Sequence, residues 1–186
     1  MTENEDMKPL IRTVGHSTRA VDALIEILVA HGIKRLIDVR TIPKSRHNPQ
    51  YNREALERSL RDAGIGYEHM RALGGLRHPR KDSPNMAWRN ESFRGYADYM
   101  QTTEFESALN ALVEAAAHEA IAIMCAEAVP WRCHRSLISD ALTARGYRVE
   151  HIMSATESDP HTMTSFARVE GTSVVYPASG QANLFG

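Results

Sequence analysis

Short apolar runs alternate with amphipathic stretches along most of the chain. The runs Leu10–Val14, Arg35–Val39 and Ala120–Cys125 are rich in branched aliphatic residues and are followed by polar or turn-forming segments, so they predict buried strands. The weaker run Ile65–Met70 and the final run Tyr147–Ile152 predict two more strands. The pattern is that of a sheet whose strands are separated along the chain.

Apolar residues at helical spacing predict helices between most of these strands. Leu24 and Leu28, for example, recur at the spacing that places them on one face of a helix. The predicted helices run from Thr18, as the N-cap, to His31, from Arg53, after an Asn52 cap, to Ala63, and over 93–101, 104–117 and 135–145. The segment 71–90 is rich in Gly, Pro, Arg and His, and no regular element is predicted for it.

Strands that alternate with helices are typical of right-handed βαβ units. The sequence therefore predicts an α/β fold: a single three-layer domain over residues 1–153, with a mainly parallel sheet of about five strands and helices on both faces. Residues 154–186 break the alternation and are interpreted as a C-terminal extension. It is expected to hold a hairpin around Glu170 and Gly171, followed by a flexible tail.

Composition narrows the class of protein. The chain has 186 residues, of which 42% are hydrophobic and 24% charged, as in an ordinary globular domain. No apolar run approaches the roughly 20 residues needed to span a bilayer, and the acidic start MTENEDMKPL is unlike a signal peptide. We therefore expect a cytoplasmic protein without a membrane partner, in which the two cysteines are not part of a structural disulfide framework.

The net charge of -1 conceals an uneven distribution. Residues 40–94 hold 12 Lys and Arg against 6 Asp and Glu, whereas residues 95–186 hold 5 against 11. A basic segment of this kind suits a phosphate-bearing small molecule or a nucleic acid, and the simpler interpretation is a solvated surface of scattered arginines.

Polar residues follow the predicted strands where each strand ends. Because ligands of open parallel sheets bind outside the carboxyl ends of the strands, these residues are candidates for one shared site. The candidate anion-binding residues are His16, Ser17, Arg40, Ser45, Tyr67, Arg132 and Arg135. The simpler alternative for Arg40 is a structural ion pair with Asp38 or Glu127.

The segment CAEAVPWRCHR (125–135) contains both cysteines of the chain together with a glutamate, a histidine and two arginines. Cys125 ends the most apolar strand just before a helix, where the helix N-terminus and neighbouring cations favour a thiolate. Cys125 is thus a candidate nucleophile or redox centre, with Glu127 and His134 as candidate proton-transfer groups. The simpler alternative is that Cys125 is a small core residue.

Three versions of a reactive site remain open. The loop binds a phosphate or sulfur anion; or Cys125, Cys133 and His134 ligate zinc, although the spacing is not a standard ligand pattern; or the two cysteines cycle between dithiol and disulfide. No cofactor is predicted apart from the zinc of the second version.

Four segments, TVGHSTR, LIDVRTIPKSRHNPQYN, YEHMRALGGLR and IMCAEAVPWRCHRSLISDAL, resemble in this order the family called domain of unknown function 488. The resemblance extends over Ile11–Ile152 and is most specific in CAExxPxxCHR. It implies a single α/β domain and supplies no established activity. The positions that match are His16, Ser17, Arg40, Pro43, Ser45, Tyr67, Leu73, Gly74, Gly75, Cys125, Glu127, Cys133, His134 and Arg135.

The C-terminal sequence QANLF is similar to the short Q-x-x-L-F peptides by which bacterial repair and replication proteins bind the DNA sliding clamp. Leu184 and Phe185 would fill an apolar pocket while Gln181 makes polar contacts. The alternative is that Leu184 and Phe185 pack back onto the domain.

Two functions from different classes are therefore expected. The first is a cysteine-dependent hydrolase or transferase that acts on a phosphate-containing substrate such as a nucleotide or nucleic acid. The second is a non-catalytic nucleic-acid-associated module recruited to the sliding clamp. A clamp-recruited enzyme would combine both.

Overall fold

Parallel strands form the centre of the structure, which is a computed structural model that describes residues 7–179. The strands are β1 (Leu10–Gly15), β2 (Arg35–Asp38), β3 (Gly66–His69), β4 (Ile121–Cys125), β5 (Arg148–Ile152), β6 (Ser158–Pro160), β7 (Arg168–Glu170) and β8 (Ser173–Val175). The helices are α1 (Val21–Ala30), α2 (Arg53–Asp62), α3 (Glu91–Tyr99), α4 (Thr103–His118) and α5 (Arg135–Ala144). Short 3-10 turns cover Pro49–Tyr51, Arg71–Leu73 and Pro130–Arg132.

The main sheet has the strand order β3-β2-β4-β1-β5-β6 within the described residues. The first five strands of this order are parallel, and β6 is antiparallel to β5. The chain leaves β1 toward β2 on one side of the sheet and leaves β4 toward β5 on the other side. The carboxyl ends of β1 and β4 therefore form the switch point at which open α/β sheets bind ligands, and Gly15 lies beside Cys125 there.

Helices cover both faces of the sheet, as predicted for a single α/β domain. One hydrophobic core takes Leu24 and Leu28 from α1 and Leu56 and Leu60 from α2. The other core is filled by α3, α4 and α5. Val174 and Tyr176 belong to this second core, so the residues after β5 pack against the α/β sheet.

The helix starts differ from the prediction in two places. Thr18 does not cap α1, which begins at Val21 after Ala20 and has no side-chain cap. Asn52 occupies the N-cap position of α2, but its Oδ1 accepts the backbone N–H of Ser45 at 2.8 Å and so ties the loop after β2 to the helix. A side chain that serves the tertiary structure is thereby withdrawn from local capping.

The five predicted parallel strands and the hairpin are confirmed. The β7–β8 turn places Gly171 at φ +65°, a conformation that favours glycine. Strand β6 was not predicted, because three residues with two polar side chains carry no strand pattern. No helix among residues 7–179 is long and apolar enough to cross a membrane.

The segment 71–90 contains one short turn and otherwise no helix or strand. It is nevertheless held by the buried carboxylate of Asp98, which accepts hydrogen bonds from the Arg80 backbone N–H and the Asn85 side chain, both at 2.8 Å. Asn85 in turn accepts the Tyr176 backbone N–H at 2.9 Å. This network keeps the segment against the second core.

Candidate functional site

A cleft of about 760 Å³ opens at the carboxyl ends of β1, β2 and β4. Nine residues singled out in the sequence line it: His16, Ser17, Arg40, Ser45, Cys125, Glu127, Arg132, Cys133 and His134. Two other expected anion-binding residues, Tyr67 and Arg135, do not line it and have structural partners described below. The strand ends thus bring these nine residues together in one cleft.

The junction of β1 and the loop after β4 depends on a glycine. A Cβ atom at Gly15 would lie 1.8 Å from the carbonyl oxygen of Glu127, so no other residue allows the loop to approach this closely. The backbone N–H groups of His16 and Ser17 then donate to the carbonyls of Cys125 and Ala126 at 3.0 and 2.9 Å. These contacts bring the cysteine segment to the first strand.

Arg135 lies behind the cleft wall and is only 1% exposed. Its Nε donates to Sγ of Cys125 at 3.0 Å, its Nη1 to Oγ1 of Thr13 at 2.9 Å and its Nη2 to the carbonyl of Glu127 at 2.7 Å. Within residues 7–179 no carboxylate lies within ion-pair distance of this guanidinium. The expectation that Arg135 clamps a substrate anion is therefore replaced: the residue supports Cys125 and the loop from behind.

Cys133 and His134 form a thiol–imidazole pair at the start of α5. Sγ of Cys133 lies 3.5 Å from Nδ1 of His134, and Nε2 of His134 donates to the carbonyl of Val39 at 2.9 Å. This second bond leaves Nδ1 as the proton acceptor that faces the thiol. The backbone N–H of Arg135, in the first turn of α5, also donates to Sγ of Cys133 at 3.5 Å.

The surroundings shift the pKa values of the two thiols in opposite directions. Burial, followed by the hydrogen bond and charge of Cys133, raises the pKa of Cys125 well above its ordinary value. Burial would also raise the pKa of Cys133, but the hydrogen bond with Cys125 and the charge and N–H groups of Arg135 outweigh it and lower that pKa to about 7. The lowered pKa is that of Cys133 and not that of Cys125, which the sequence favoured as the thiolate, and the nucleophile role of Cys125 stays a prediction.

The imidazole of His134 is held by Gly75, one of the positions that match the family resemblance, and by Tyr96, which the sequence patterns did not single out. A Cβ atom at Gly75 would lie 2.6 Å from Nδ1 of His134, so the loop can pass this close to the ring only with glycine there. The ring of Tyr96 lies 5.1 Å from that of His134, and its hydroxyl donates to the carbonyl of Leu73 at 2.8 Å. Burial lowers the pKa of His134, which keeps the ring neutral.

Arg40 has the structural partner that the simpler alternative named. Its Nε and Nη2 donate to the two carboxylate oxygens of Asp38 at 2.9 and 2.6 Å, and Tyr67 donates its hydroxyl to the same carboxylate at 2.7 Å. The Arg40 guanidinium is 7% exposed, and Asp38 is fully buried. Arg40 lines the cleft, but most of its donors are engaged, which explains why it is not a free anion clamp.

His16 stacks on Tyr51 with ring centroids 3.9 Å apart, and its Nδ1 donates to the carbonyl of Ser17 at 2.7 Å. Its Nε2 lies 3.4 Å from Nη1 of Arg40. Burial, with a smaller contribution from Arg40, lowers the pKa of His16 to about 4. His16 is therefore a neutral ring in the cleft wall near pH 7.

Groups that can receive an anion remain in the cleft. Exposed Lys44 and Arg132 line it, and the carboxylate of Glu127 is the single acidic side chain among its described lining residues. The backbone N–H groups of residues 126–128 donate to no backbone carbonyl within residues 7–179. Ser17 adopts a left-handed φ of 51°, unusual for a residue other than glycine, at the same rim.

The metal and redox alternatives concern the two cysteines and His134. Among the described residues no group of three or more His, Cys, Asp or Glu side chains is arranged to hold a metal ion, and the Arg135 guanidinium beside Cys125 would repel a cation. Both cysteines are free thiols. Zinc binding and the sliding-clamp contact both stay predictions, the latter because Gln181, Leu184 and Phe185 lie outside the described residues.

Comparison with known proteins supports the family resemblance alone. Neither the curated proteins nor the solved structures contain a match to the chain. The family model described as "Domain of unknown function DUF488" matches residues 20–142, which include α1 to α4, β4 and most of α5. The chain therefore belongs to the DUF488 family.

Proposed function

We propose that the protein is a cysteine-dependent hydrolase or transferase that acts on the phosphate of a nucleotide or nucleic acid. Cys133 is the nucleophile, His134 is its proton acceptor, and Cys125 with Arg135 stabilises the thiolate. The cleft at the ends of β1, β2 and β4 holds the substrate.

One observation carries the proposal: a buried thiol faces an imidazole nitrogen whose other nitrogen is bound to a backbone carbonyl. The arrangement Cys133–His134–Val39 has the elements of an activated nucleophile, namely a thiol, a base within reach and a group that orients the base. The Arg135 guanidinium lacks a carboxylate within ion-pair distance in the described chain, so a thiolate gives this buried cation a nearby counter-charge.

The proposed chemical step conserves atoms and charge. Cys133 transfers its proton to Nδ1 of His134, and its sulfur forms a bond to the substrate phosphorus while the bond from phosphorus to the leaving oxygen breaks. The leaving oxygen takes the proton from Nδ1 of His134. Water in a hydrolase, or an acceptor hydroxyl in a transferase, then attacks the phosphorus, gives its proton to Nδ1 of His134 and displaces the sulfur. Nδ1 of His134 returns this proton to Cys133, which restores the thiol.

The phosphate is received by the groups on the open side of the cleft. Lys44 and Arg132 supply positive charge, and the N–H groups of residues 126–128 supply hydrogen-bond donors. Glu127 is the further proton-transfer candidate, because its exposed side chain lines the cleft. The excess of cations over carboxylates favours a nucleotide or nucleic acid over a neutral substrate.

Alkylation by iodoacetamide between pH 5 and pH 10 tests the nucleophile. We expect the wild type to react with a midpoint near pH 7, and C133S to lose this phase, because about half of a thiol with a pKa of about 7 is ionised at pH 7. C125S should keep a reactive thiol. Loss of the phase in C125S but not in C133S, or a midpoint above pH 8.5 in the wild type, would contradict the assignment.

Inorganic phosphate and a single-stranded DNA oligonucleotide test the anion site. Phosphate should slow the alkylation of Cys133, and oligonucleotide affinity should fall steeply with added salt. K44Q and R132Q should weaken both effects, whereas K81Q, outside the cleft lining, serves as the matched control. Protection that is absent, or equal in all variants, would remove the phosphate from the proposal.

The clamp-recruited module is the second candidate, favoured by the sequence of residues 181–185. Deletion of residues 181–186 should abolish binding to a bacterial sliding clamp without any change in thiol alkylation. L184A/F185A should reproduce the deletion, and undiminished binding of that variant would exclude this peptide as the contact.

A further inference from the structure

The buried guanidinium of Arg135 is the first member of a hydrogen-bonded chain that leads away from the cleft. Nη1 of Arg135 donates to Oγ1 of Thr13 at 2.9 Å, and this oxygen lies 2.7 Å from Nδ1 of His151. Nε2 of His151 lies 2.9 Å from Nδ1 of His161, and Nε2 of His161 lies 2.8 Å from Oδ1 of Asp140. Every member is largely buried, and Thr13 and Asp140 are fully so.

The charges at the two ends determine the direction of every bond in the chain. The carboxylate of Asp140 accepts a hydrogen bond from Nε2–H of His161. This leaves Nδ1 of His161 to accept a hydrogen bond from Nε2–H of His151. Nδ1 of His151 then accepts a hydrogen bond from the Thr13 hydroxyl, whose oxygen accepts a hydrogen bond from Arg135. Burial and the neighbouring His161 and Arg135 lower the pKa of His151 to about 3, in agreement with a neutral ring in this position.

The far end of the chain is firmly held. Asp140 also accepts the hydroxyl of Tyr176 at 2.7 Å and the backbone N–H of Thr164 at 3.0 Å. A buried cation and a buried carboxylate thus lie at opposite ends of one polarised chain, with the thiol pair on the other side of the cation. Hydrogen bonds aligned in this way polarise one another in a low-dielectric interior.

We propose that Thr13, His151, His161 and Asp140 are positioning residues that orient Arg135 and share its positive charge with the Cys125–Cys133 pair. The inference rests on the proposed function, because it assigns a role to these residues through the reactive thiols. Asp140 competes with the thiolate for the charge of Arg135, and the thiolate therefore becomes more favourable when Asp140 is neutralised.

The test is the pH profile of iodoacetamide alkylation in D140N. An asparagine preserves an acceptor for His161 and Thr164 while it removes the charge, so the midpoint should move to lower pH and the rate at pH 6 should rise about threefold to tenfold. E119Q, which neutralises a partly buried carboxylate paired with Arg35 ahead of β4, is the control, and its midpoint should not move. An unchanged or raised midpoint in folded D140N would overturn the proposal.

A double-mutant cycle with T13V separates coupling through the chain from a direct effect of charge. Valine has nearly the shape of threonine but cannot link Arg135 to His151, so the D140N shift should shrink to less than half in the T13V background. A shift of the same size in both backgrounds would refute the role of the chain. Thermal unfolding of each variant, with H161Q as a second interruption if T13V does not fold, keeps the comparison among folded proteins.

The outcomes also distinguish this inference from the proposed function. A wild-type midpoint above pH 8.5 would reject the reactive thiol itself, whereas a midpoint near pH 7 with no response to D140N would reject the positioning role alone. The other titratable groups around the thiol pair are unchanged in all these variants: His16, Arg40, Tyr96, Glu127, Arg132 and His134.

Discussion

Two buried arginines lie at the same edge of the sheet, and their surroundings are opposite. Arg40, after β2, is bound through two hydrogen bonds to the carboxylate of Asp38. Arg135, in the first turn of α5, contacts a thiol, a hydroxyl and backbone carbonyls, with no carboxylate within ion-pair distance in the described part of the chain. The charge of Arg40 is compensated by a carboxylate, whereas Arg135 lies beside a thiol that can ionise.

The difference distinguishes a cation compensated by a carboxylate from a cation that can stabilise a thiolate. A buried guanidinium paired with a carboxylate has its charge compensated at every pH at which the fold persists, so it has little to offer a reacting group. A buried guanidinium beside Cys125 and Cys133 makes ionisation of a thiol favourable instead. Both arginines have a neutral histidine near them, His16 beside Arg40 and His151 linked to Arg135 through Thr13.

The largest effect is expected when the paired arginine is removed. R40M leaves the carboxylate of Asp38 buried without its cation, which should lower the free energy of unfolding by about 3–5 kcal/mol in urea titrations. The double variant R40M/D38N should recover part of the loss, because an amide needs no counter-charge. R80M, in the exposed pair with Asp82, should cause no measurable change. If R40M lowered the free energy of unfolding as little as R80M does, the ion pair of Arg40 with Asp38 would not be a stabilising contact.

Acidification should destabilise the protein through the two neutral histidines. The pKa values of His16 and His151 are lowered from 6.5 to about 4 and about 3, so the unfolded chain binds protons that the folded chain excludes. The stabilisation is complete above pH 6.5 and is lost as the pH falls from 6.5 to about 4 for His16 and to about 3 for His151, by about 3–5 kcal/mol for each residue. H16Q and H151Q should each flatten the pH dependence of the free energy of unfolding; unchanged slopes would show that these rings are protonated in the fold.

Replacement of Arg135 should reduce stability less than replacement of Arg40 does, and it should reduce thiol reactivity more. R135M breaks no direct ion pair in the described chain, so we expect a loss of about 1–3 kcal/mol, from broken hydrogen bonds. The rate of alkylation by iodoacetamide at pH 7 should fall about tenfold, because the thiolate loses its cation. A loss of stability equal to that of R40M, or an unchanged alkylation rate, would contradict the distinction between the two arginines.

A smaller effect is expected from the loop that supports His134. G75A places a Cβ atom 2.6 Å from Nδ1 of the ring, which must move, so stability should fall by about 1–2 kcal/mol and alkylation at pH 7 should slow about threefold. G66A, in β3, is the matched control, since its Cβ would meet its nearest neighbour at an ordinary 3.5 Å. Equal effects of the two substitutions would show that the approach of Gly75 to the ring is unimportant.

Much of the fold could be predicted because its patterns are local. Continuous apolar runs such as Ala120–Cys125 identify strands that are buried on both faces, and helical spacing such as that of Leu24 and Leu28 identifies the covering helices. Strand β6 carries no such pattern, and it pairs with β5 through backbone groups and one side-chain hydrogen bond from Ser158 to Glu150. The residue types of β6 do not indicate this pairing.

The location of the candidate site could also be predicted, since parallel strands bring their carboxyl ends to one edge. The roles of its residues could not. Asp38 and Tyr67 bind Arg40 only after β2 and β3 pair, and Cys133 acquires its lower pKa only when Cys125 of β4 and Arg135 of α5 lie beside it. Thr13, His151, His161 and Asp140 lie far apart along the chain, and no spacing in the sequence joins them.

The sequence by itself therefore determined the α/β alternation, the family and the edge of the sheet to which the candidate residues come, because these depend on short-range periodicity and on composition. Only the tertiary structure decided which arginine is neutralised, which cysteine is the more acidic and which histidine faces a thiol. The physical reason is that charge, desolvation and hydrogen-bond geometry act over a few ångströms in space, between groups that up to 138 positions of sequence separate.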